Sequence, residues 1–258
     1  MADDNKSFLS HAKIQFTVDL TCGKCEEAIR SGLKDNPNIR DVSVNLEKQL
    51  VVVETSLATS EVVRLIENTG KKALVTGIGA SGGQLNNLGS AVAILHEGNP
   101  SSGVRGVTRI VQTSSDSCIF DGTVDGLMSN SQHSLAIHEF GDISQGCDSC
   151  GDVLLCAPSE GSSFIQSKPY GDLGLIASNA DGRSDFRLES NRIKVWDVIG
   201  RSMVISSPTE GITSKWKRLA CGIIARSAGI FENFKKICAC DGTTIWDERA
   251  AQDTRFPK

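Results

Sequence analysis

Between Ala12 and Ile78 the spacing of hydrophobic positions keeps changing period. A strand-like run over Ala12 to Val18 gives way to a helical pattern over Glu26 to Lys34. Two strand runs follow (Ile39 to Asn45, Gln49 to Glu54), then a second helical pattern (Ala58 to Glu67) and a last strand (Ala73 to Ile78). The order β-α-β-β-α-β predicts a ferredoxin-like α+β domain. Ala28, Ile29 and Leu33 recur at helical spacing, as do Val62, Val63, Leu65 and Ile66, so each helix has an apolar stripe to lay on the sheet.

The segment from Gly77 to Gly89 is rich in Gly and Asn and has neither period, which marks a linker. Beyond it short strand candidates alternate with Gly, Asn, Asp and Ser: Ala91 to Leu95, Val104 to Val111, Ile119 to Val124, Leu135 to His138, Phe186 to Leu188, Ile193 to Val198, Met203 to Ile205 and Cys221 to Ile224. Helical signals almost vanish there, so this part is expected to be an all-β sandwich or barrel. From Arg226 onward neither pattern persists, and the remainder is too short to build its own core. The expected organisation is therefore a multi-domain chain, α+β over 1–80, a linker over 81–89, all-β over 90–225 and a short irregular tail over 226–258.

Composition narrows the function. The 258 residues carry a net charge of −4 with acids and bases well mixed, and no Lys/Arg-rich block suited to a phosphate backbone, so no nucleic acid partner is expected. The polar start and the lack of a long apolar run predict a cytoplasmic protein with no membrane span. In that reducing compartment nine cysteines argue for metal binding or thiol chemistry before a disulfide framework.

Two cysteine pairs carry the candidate chemistry. Cys22-x-x-Cys25 falls between the first strand and the first helix, so a helix dipole, free N–H groups and Lys24 favour its thiolates. Such a spacing suits half of a zinc site, a redox pair or a soft ion such as Cu(I). The expected exposed loop leaves room for a partner's thiolate to enter. Cys238-x-Cys240 puts two thiols on one face of an extended chain, beside Lys235 and Lys236, where they can clamp a soft ion or exchange with a partner's cysteine through a mixed disulfide.

The region around Cys22 and Cys25 resembles heavy-metal-associated domains of the copper-trafficking type, with Leu20 where they usually place a packing Met. Gly122 to Gly126, His133, His138-Glu-Phe-Gly-Asp142, Gly171-Asp-Leu-Gly174 and Arg218-Leu-Ala-Cys-Gly222 resemble copper-zinc superoxide dismutase, which implies a Greek-key β-barrel of that type. With Val195 to Arg201, Gly222 to Gly229 and the tail around Cys238 and Cys240, the whole chain is similar to the copper chaperones of superoxide dismutase.

The resemblance implies a chaperone and not an enzyme. Only His138 and Asp172 survive of the dismutase ligands; Ala136, Val153, Pro169 and Ser206 stand where the others are expected. Beyond Gly89 the histidines are His96, His133 and His138, too few for either dismutase site, so no zinc is expected in the barrel. His133 and His138 read as packing residues and Asp172 as a turn residue. The resemblance also implies a disulfide between Cys147 and Cys221; the rival is a thiolate cluster of Cys147, Cys150 and Cys156, with Cys118 as a distant fourth ligand.

As a whole it implies Cu(I) held by Cys22 and Cys25, docking of the barrel on a dismutase subunit as a heterodimer, and transfer with disulfide exchange by Cys238 and Cys240. A homodimer at rest is a further possibility within that frame. Trp196 and Arg226 are the interface candidates, with core packing the other role for Trp196. The alternative is a thiol-rich copper-buffering or redox protein without a dismutase target.

Overall fold

The computed structural model describes residues 10–81, 88–98, 103–158, 168–208, 216–233, 246–247 and 250. The first unit runs β1 (Ala12–Val18), α1 (Gly23–Lys34), β2 (Ile39–Asn45), β3 (Leu50–Thr55), α2 (Thr59–Glu67) and β4 (Ala73–Ala80). Its antiparallel sheet has the order β2-β3-β1-β4. Ile14, Phe16 and Val18 of β1 meet Ile29 and Leu33 of α1 and Val62 and Ile66 of α2 in a dry core. This is the ferredoxin-like arrangement that the alternating periods predict.

The second unit contains β5 (Ser90–Leu95), β6 (Glu97–Gly98), β7 (Arg105–Gln112), β8 (Cys118–Asp125), β9 (Gln132–His138), β10 (Ser144–Cys147), β11 (Asp172–Ala177), β12 (Ser184–Ser190), α3 (Val195–Val198), β13 (Ser202–Pro208) and β14 (Trp216–Arg226). Its main path is β11-β9-β13-β14-β5-β7-β8-β12, with β6 beside β14. Strands β11 and β12 approach each other at the ends of that path, so the sheet is a nearly closed antiparallel barrel. The pairings β8–β12, β9–β13 and β5–β14 skip along the sequence, as Greek-key connections do. Ala91, Leu95, Phe120, Leu135, Ile137 and Ile205 are among the residues filling its interior.

Several details differ from the sequence reading, the short strands β6 and β10 among them. Ile193 to Val198, expected as a strand, ends in the single helical turn α3. β11, which starts at Asp172 and takes in Gly174, was not expected, because its glycine and exposed positions hide the alternation. Gly77, read both as the end of the last strand and as the start of the Gly-rich segment, and Gly79, read only in that segment, belong to β4. They are small for a packing reason: a Cβ on Gly77 would meet the Gly229 carbonyl oxygen at 2.6 Å, and one on Gly79 would meet Ile230 Cγ1 at 2.7 Å. The chain that leaves β14 therefore lies against the sheet face opposite the helices, where the Phe231 N–H donates to Gln15 Oε1 at 2.7 Å.

The barrel and the first unit also meet at a charged rung. Arg109 on β7, Asp121 on β8 and Arg187 on β12 stand in one register across three strands. Asp121 accepts the Thr59 N–H at the start of α2, and Arg187 donates to the carbonyls of Leu57, Thr55 and Ser10. Beside them Val111 and Ile119 of the barrel join the core of the first unit.

Candidate functional site

Cys22 is the N-cap of α1, and Cys25 lies in its first turn with its N–H donating to the Cys22 carbonyl. The two sulfurs are 3.4 Å apart, so one soft ion could engage both. Both thiols were expected on an exposed loop; Cys22 is exposed, but Cys25 is buried against the core of the first unit. The cause is helical: Cys25 shares the buried side of α1 with Ile29 and Leu33, and Leu20, buried as a packing residue, belongs to the same core.

The Cys25 thiol is pulled down to about 6, first by the Thr21 side chain and its backbone, then by Cys22 and by Lys71. Thr21 Oγ1 is 3.4 Å from the sulfur. Lys71 is held above its ordinary value in return. Thr21 and Lys71 are the functional neighbours that the sequence reading missed; it had named Lys24, which is exposed and is not among the groups acting on Cys25. The signal was available in the topology. In a β-α-β-β-α-β sheet the start of β4 lies beside the end of β1, here Val18 opposite Ala73, which brings Lys71 to the loop of Cys22 and Cys25.

In the barrel, His138 is buried, its Nδ1 lies 2.9 Å from the Gly151 carbonyl, and burial holds it below the usual imidazole range. Opposite it, in an isolated bridge, stands Val153. Ala136 pairs with Val204 and Asp172, and Ser206 pairs with Ser134. Asp172 spends one oxygen on the Gly174 N–H at 2.8 Å, a turn contact, with Lys168 at 3.5 Å. His133 is fully buried. Among the described residues no three His, Cys, Asp or Glu side chains converge as a metal site.

Cys147 and Cys221 are joined by a disulfide whose Cα atoms are 5.6 Å apart. Closing a loop with a sequence separation of 74 stabilises the fold by about 4 kcal/mol on the chain-entropy model. Cys118 and Cys150 are buried free thiols and Cys156 is a partly buried one, so the thiolate cluster weighed above is not assembled. Burial pushes the Cys118 thiol up. Cys238 and Cys240 lie outside the described residues.

The heavy-metal-associated domain model matches residues 15–72, and the model for copper/zinc superoxide dismutase matches residues 104–224. The chain is 44% identical over 261 residues to the human copper chaperone for superoxide dismutase, covering 96% of this chain and 93% of that protein. The chain belongs to the family of copper chaperones for superoxide dismutase. It is also 34% identical to the superoxide dismutase 1 copper chaperone of Saccharomyces cerevisiae, covering 91% of this chain and 92% of the yeast protein. With the chloroplastic/cytosolic copper chaperone of Arabidopsis thaliana it shares 33% identity over 90% of this chain and 69% of the plant protein. These relatives are named as chaperones, so the chain is a metallochaperone and not a dismutase. A heavy-metal-associated domain in this family implies copper binding. Among the described residues no helix is long and apolar enough to cross a membrane.

The barrel of this family member has an apolar face that the described residues leave uncovered. Ile94 on β5 is 60% exposed and Ile223 on β14 is 39% exposed, and extending the β5–β14 register puts them side by side. Next to them Gly141 packs on the Gly200 carbonyl too closely to admit a Cβ, and Ile223 Cγ2 lies 3.5 Å from that position. Arg201 ties the region together, donating to the Glu139 carbonyl at 2.7 Å and to the Asp197 carbonyl at 2.9 Å. α3, which Arg201 anchors, buries Val195 and Val198 and leaves Trp196 53% exposed. Trp196 is therefore not a core residue. Arg226 is exposed at the end of β14, paired through its backbone with Ala91.

Proposed function

We propose that the chain carries Cu(I) on Cys22 and Cys25 and delivers it in the cytoplasm to a copper-zinc superoxide dismutase subunit. The observation that carries this reading is the sulfur pair of the first unit, 3.4 Å apart with one thiol pulled down to about 6, in a chain without a converging metal site of three or more such side chains among the described residues. Two soft thiolates on a helix start hold Cu(I) in an open, low-coordinate site, and exposed Cys22 gives an incoming thiolate its point of attack.

Docking uses the face of Ile94, Ile223 and Trp196 and forms a heterodimer with the target; Arg226 stands at its rim. The same face would serve a homodimer at rest. Cys238 and Cys240 receive the copper and, through a mixed disulfide, promote formation of the target's intrasubunit disulfide. The barrel takes no zinc in this scheme; it supplies shape. The domain limits 1–80, 81–89, 90–225 and 226–258 divide these roles.

Copper-loaded chain mixed with reduced apo-dismutase should activate that enzyme with one copper moved per subunit activated. The pair of substitutions Cys238→Ser and Cys240→Ser should leave co-purification intact while abolishing the dithiothreitol-sensitive covalent heterodimer and the activation. Full activation by that variant would refute the role given to the tail. Copper retention by the wild-type chain, without transfer, would instead favour buffering.

A further inference from the structure

Cys150 is a fully buried thiol that neither the copper pair nor the docking face uses. It packs in one cluster with Cys147, Cys221 and Val204, with Ile143 against it, so a third sulfur adjoins the barrel's disulfide. Cys147 caps a single 3-10 turn over Asp148–Cys150, which Cys150 ends. Residues at the two ends of such a turn have Cα atoms less than roughly 7 Å apart, close to the span of about 4.4–6.8 Å that disulfides bridge. The Cys147 sulfur thus has two possible partners, Cys221 across the barrel and Cys150 along the chain.

Arg218 holds this turn by donating to the Cys147 and Gly151 carbonyls, each at 2.6 Å. The exchange would also act on the apolar face. The Cys150 carbonyl accepts the Phe140 N–H at 2.9 Å, next to Gly141, while Cys221 precedes Ile223 on β14.

We propose that the barrel contains an internal thiol–disulfide exchange site in which Cys150 displaces Cys221 from Cys147. The Cys150 thiolate attacks Cys147 Sγ, the Cys147–Cys150 bond forms and the Cys147–Cys221 bond breaks. The electron pair leaves on Cys221 Sγ, which takes up the proton that Cys150 released, so no outside oxidant or reductant is consumed. Exchange unties β14 from the turn at residues 148–150, loosening one half of the apolar face from the other. The chemistry stands whether or not that face docks on a dismutase.

The test uses the oxidised full-length chain, incubated at mildly alkaline pH, then denatured in mild acid with excess N-ethylmaleimide and digested with trypsin. Cys221 is released in the peptide Leu219–Arg226, while Cys147 and Cys150 share the peptide 110–183. The expected result is N-ethylmaleimide on Cys221 together with loss of two hydrogens from peptide 110–183. Cys150→Ser should lower the Cys221 labelling by about tenfold or more, because the internal nucleophile is gone. Equal labelling in the two proteins, or label on Cys147 in place of Cys221, would overturn the proposal. A second variant guards against misfolding: Cys221→Ala treated with oxidised glutathione should form an internal Cys147–Cys150 bridge. Formation of glutathione adducts alone would overturn it equally.

Discussion

Replacing Asp121 by alanine should test how the barrel grips the first unit. Asp121 and Arg187 have side chains only 2% and 3% exposed, with Oδ2 and Nη1 3.6 Å apart. Arg109 flanks the same carboxylate from β7, and burial pushes both guanidinium groups below their ordinary value. Removing the carboxylate strands two cations in a desolvated contact and uncaps the N-terminus of α2. Breaking a buried pair costs about 3–5 kcal/mol, and loss of a helix cap about 0.5–2 kcal/mol, two effects that overlap here because one carboxylate supplies both. At ~2–4 °C per kcal/mol, a fall in melting temperature of roughly 6–20 °C is expected by calorimetry. Limited proteolysis should also open the segment around Ser56 to Thr59, which Asp121 and Arg187 hold through backbone bonds. The double variant Asp121→Leu with Arg187→Met should lose less than Asp121→Ala, since replacing a buried pair by apolar groups leaves no stranded charge. A loss below about 1 kcal/mol for Asp121→Ala, or a double variant worse than the single, would refute the reasoning.

Two further outcomes concern the metal loop and the docking face. Alkylation of Cys25 should be half-maximal near pH 6 and fall below it, with Thr21→Val and Lys71→Ala each moving the midpoint upward. Because its folded value lies below that of an ordinary thiol, the stabilisation it contributes is full above pH 9 and is lost as pH falls through about 6, which a stability–pH profile of wild type against Cys25→Ser would show. Trp196→Ala should weaken association with a dismutase subunit by ~2 kcal/mol, about 30-fold, while leaving the melting temperature unchanged; a fall in melting temperature with unaltered affinity would return Trp196 to a packing role.

Much of this was legible in the chain itself. The sheet and helices of the first unit follow from period alone, because each element buries one stripe and the spacing of Ile29 and Leu33 or of Ile14 and Phe16 records it. The missing dismutase chemistry was legible in the supply of histidines, which no fold can remedy. What escaped were relations between distant segments. Nothing local announces that Lys71 reaches Cys25, that Asp121 caps a helix 62 residues earlier, or that Gly77 and Gly79 are small to admit Gly229 and Ile230. α3 was misread because Val195 to Val198 is apolar at too many positions for either period to stand out. Whether Trp196 packs or protrudes depends on which side of a single turn the core lies, which only tertiary structure decides.

The contact between Phe231 and Gln15 joins residues 216 apart, and this orders events in time. During synthesis the first unit is complete long before the segment that covers its open face exists. From the end of β4 at Ala80 to Phe231 roughly 150 residues remain, which the ribosome makes in on the order of 8–30 s at roughly 5–20 residues per second. Through that interval the uncovered face has to wait in water without recruiting another strand or a neighbouring nascent chain. Its composition suits the wait: Lys13 and Gln15 occupy it, and the Gln15 amide bonds to Thr76 within the same sheet. A greasy surface would have bound its late partner more tightly, but it would have spent those seconds as a hazard. The polar choice makes the closing contact weak enough to come last and safe enough to come late.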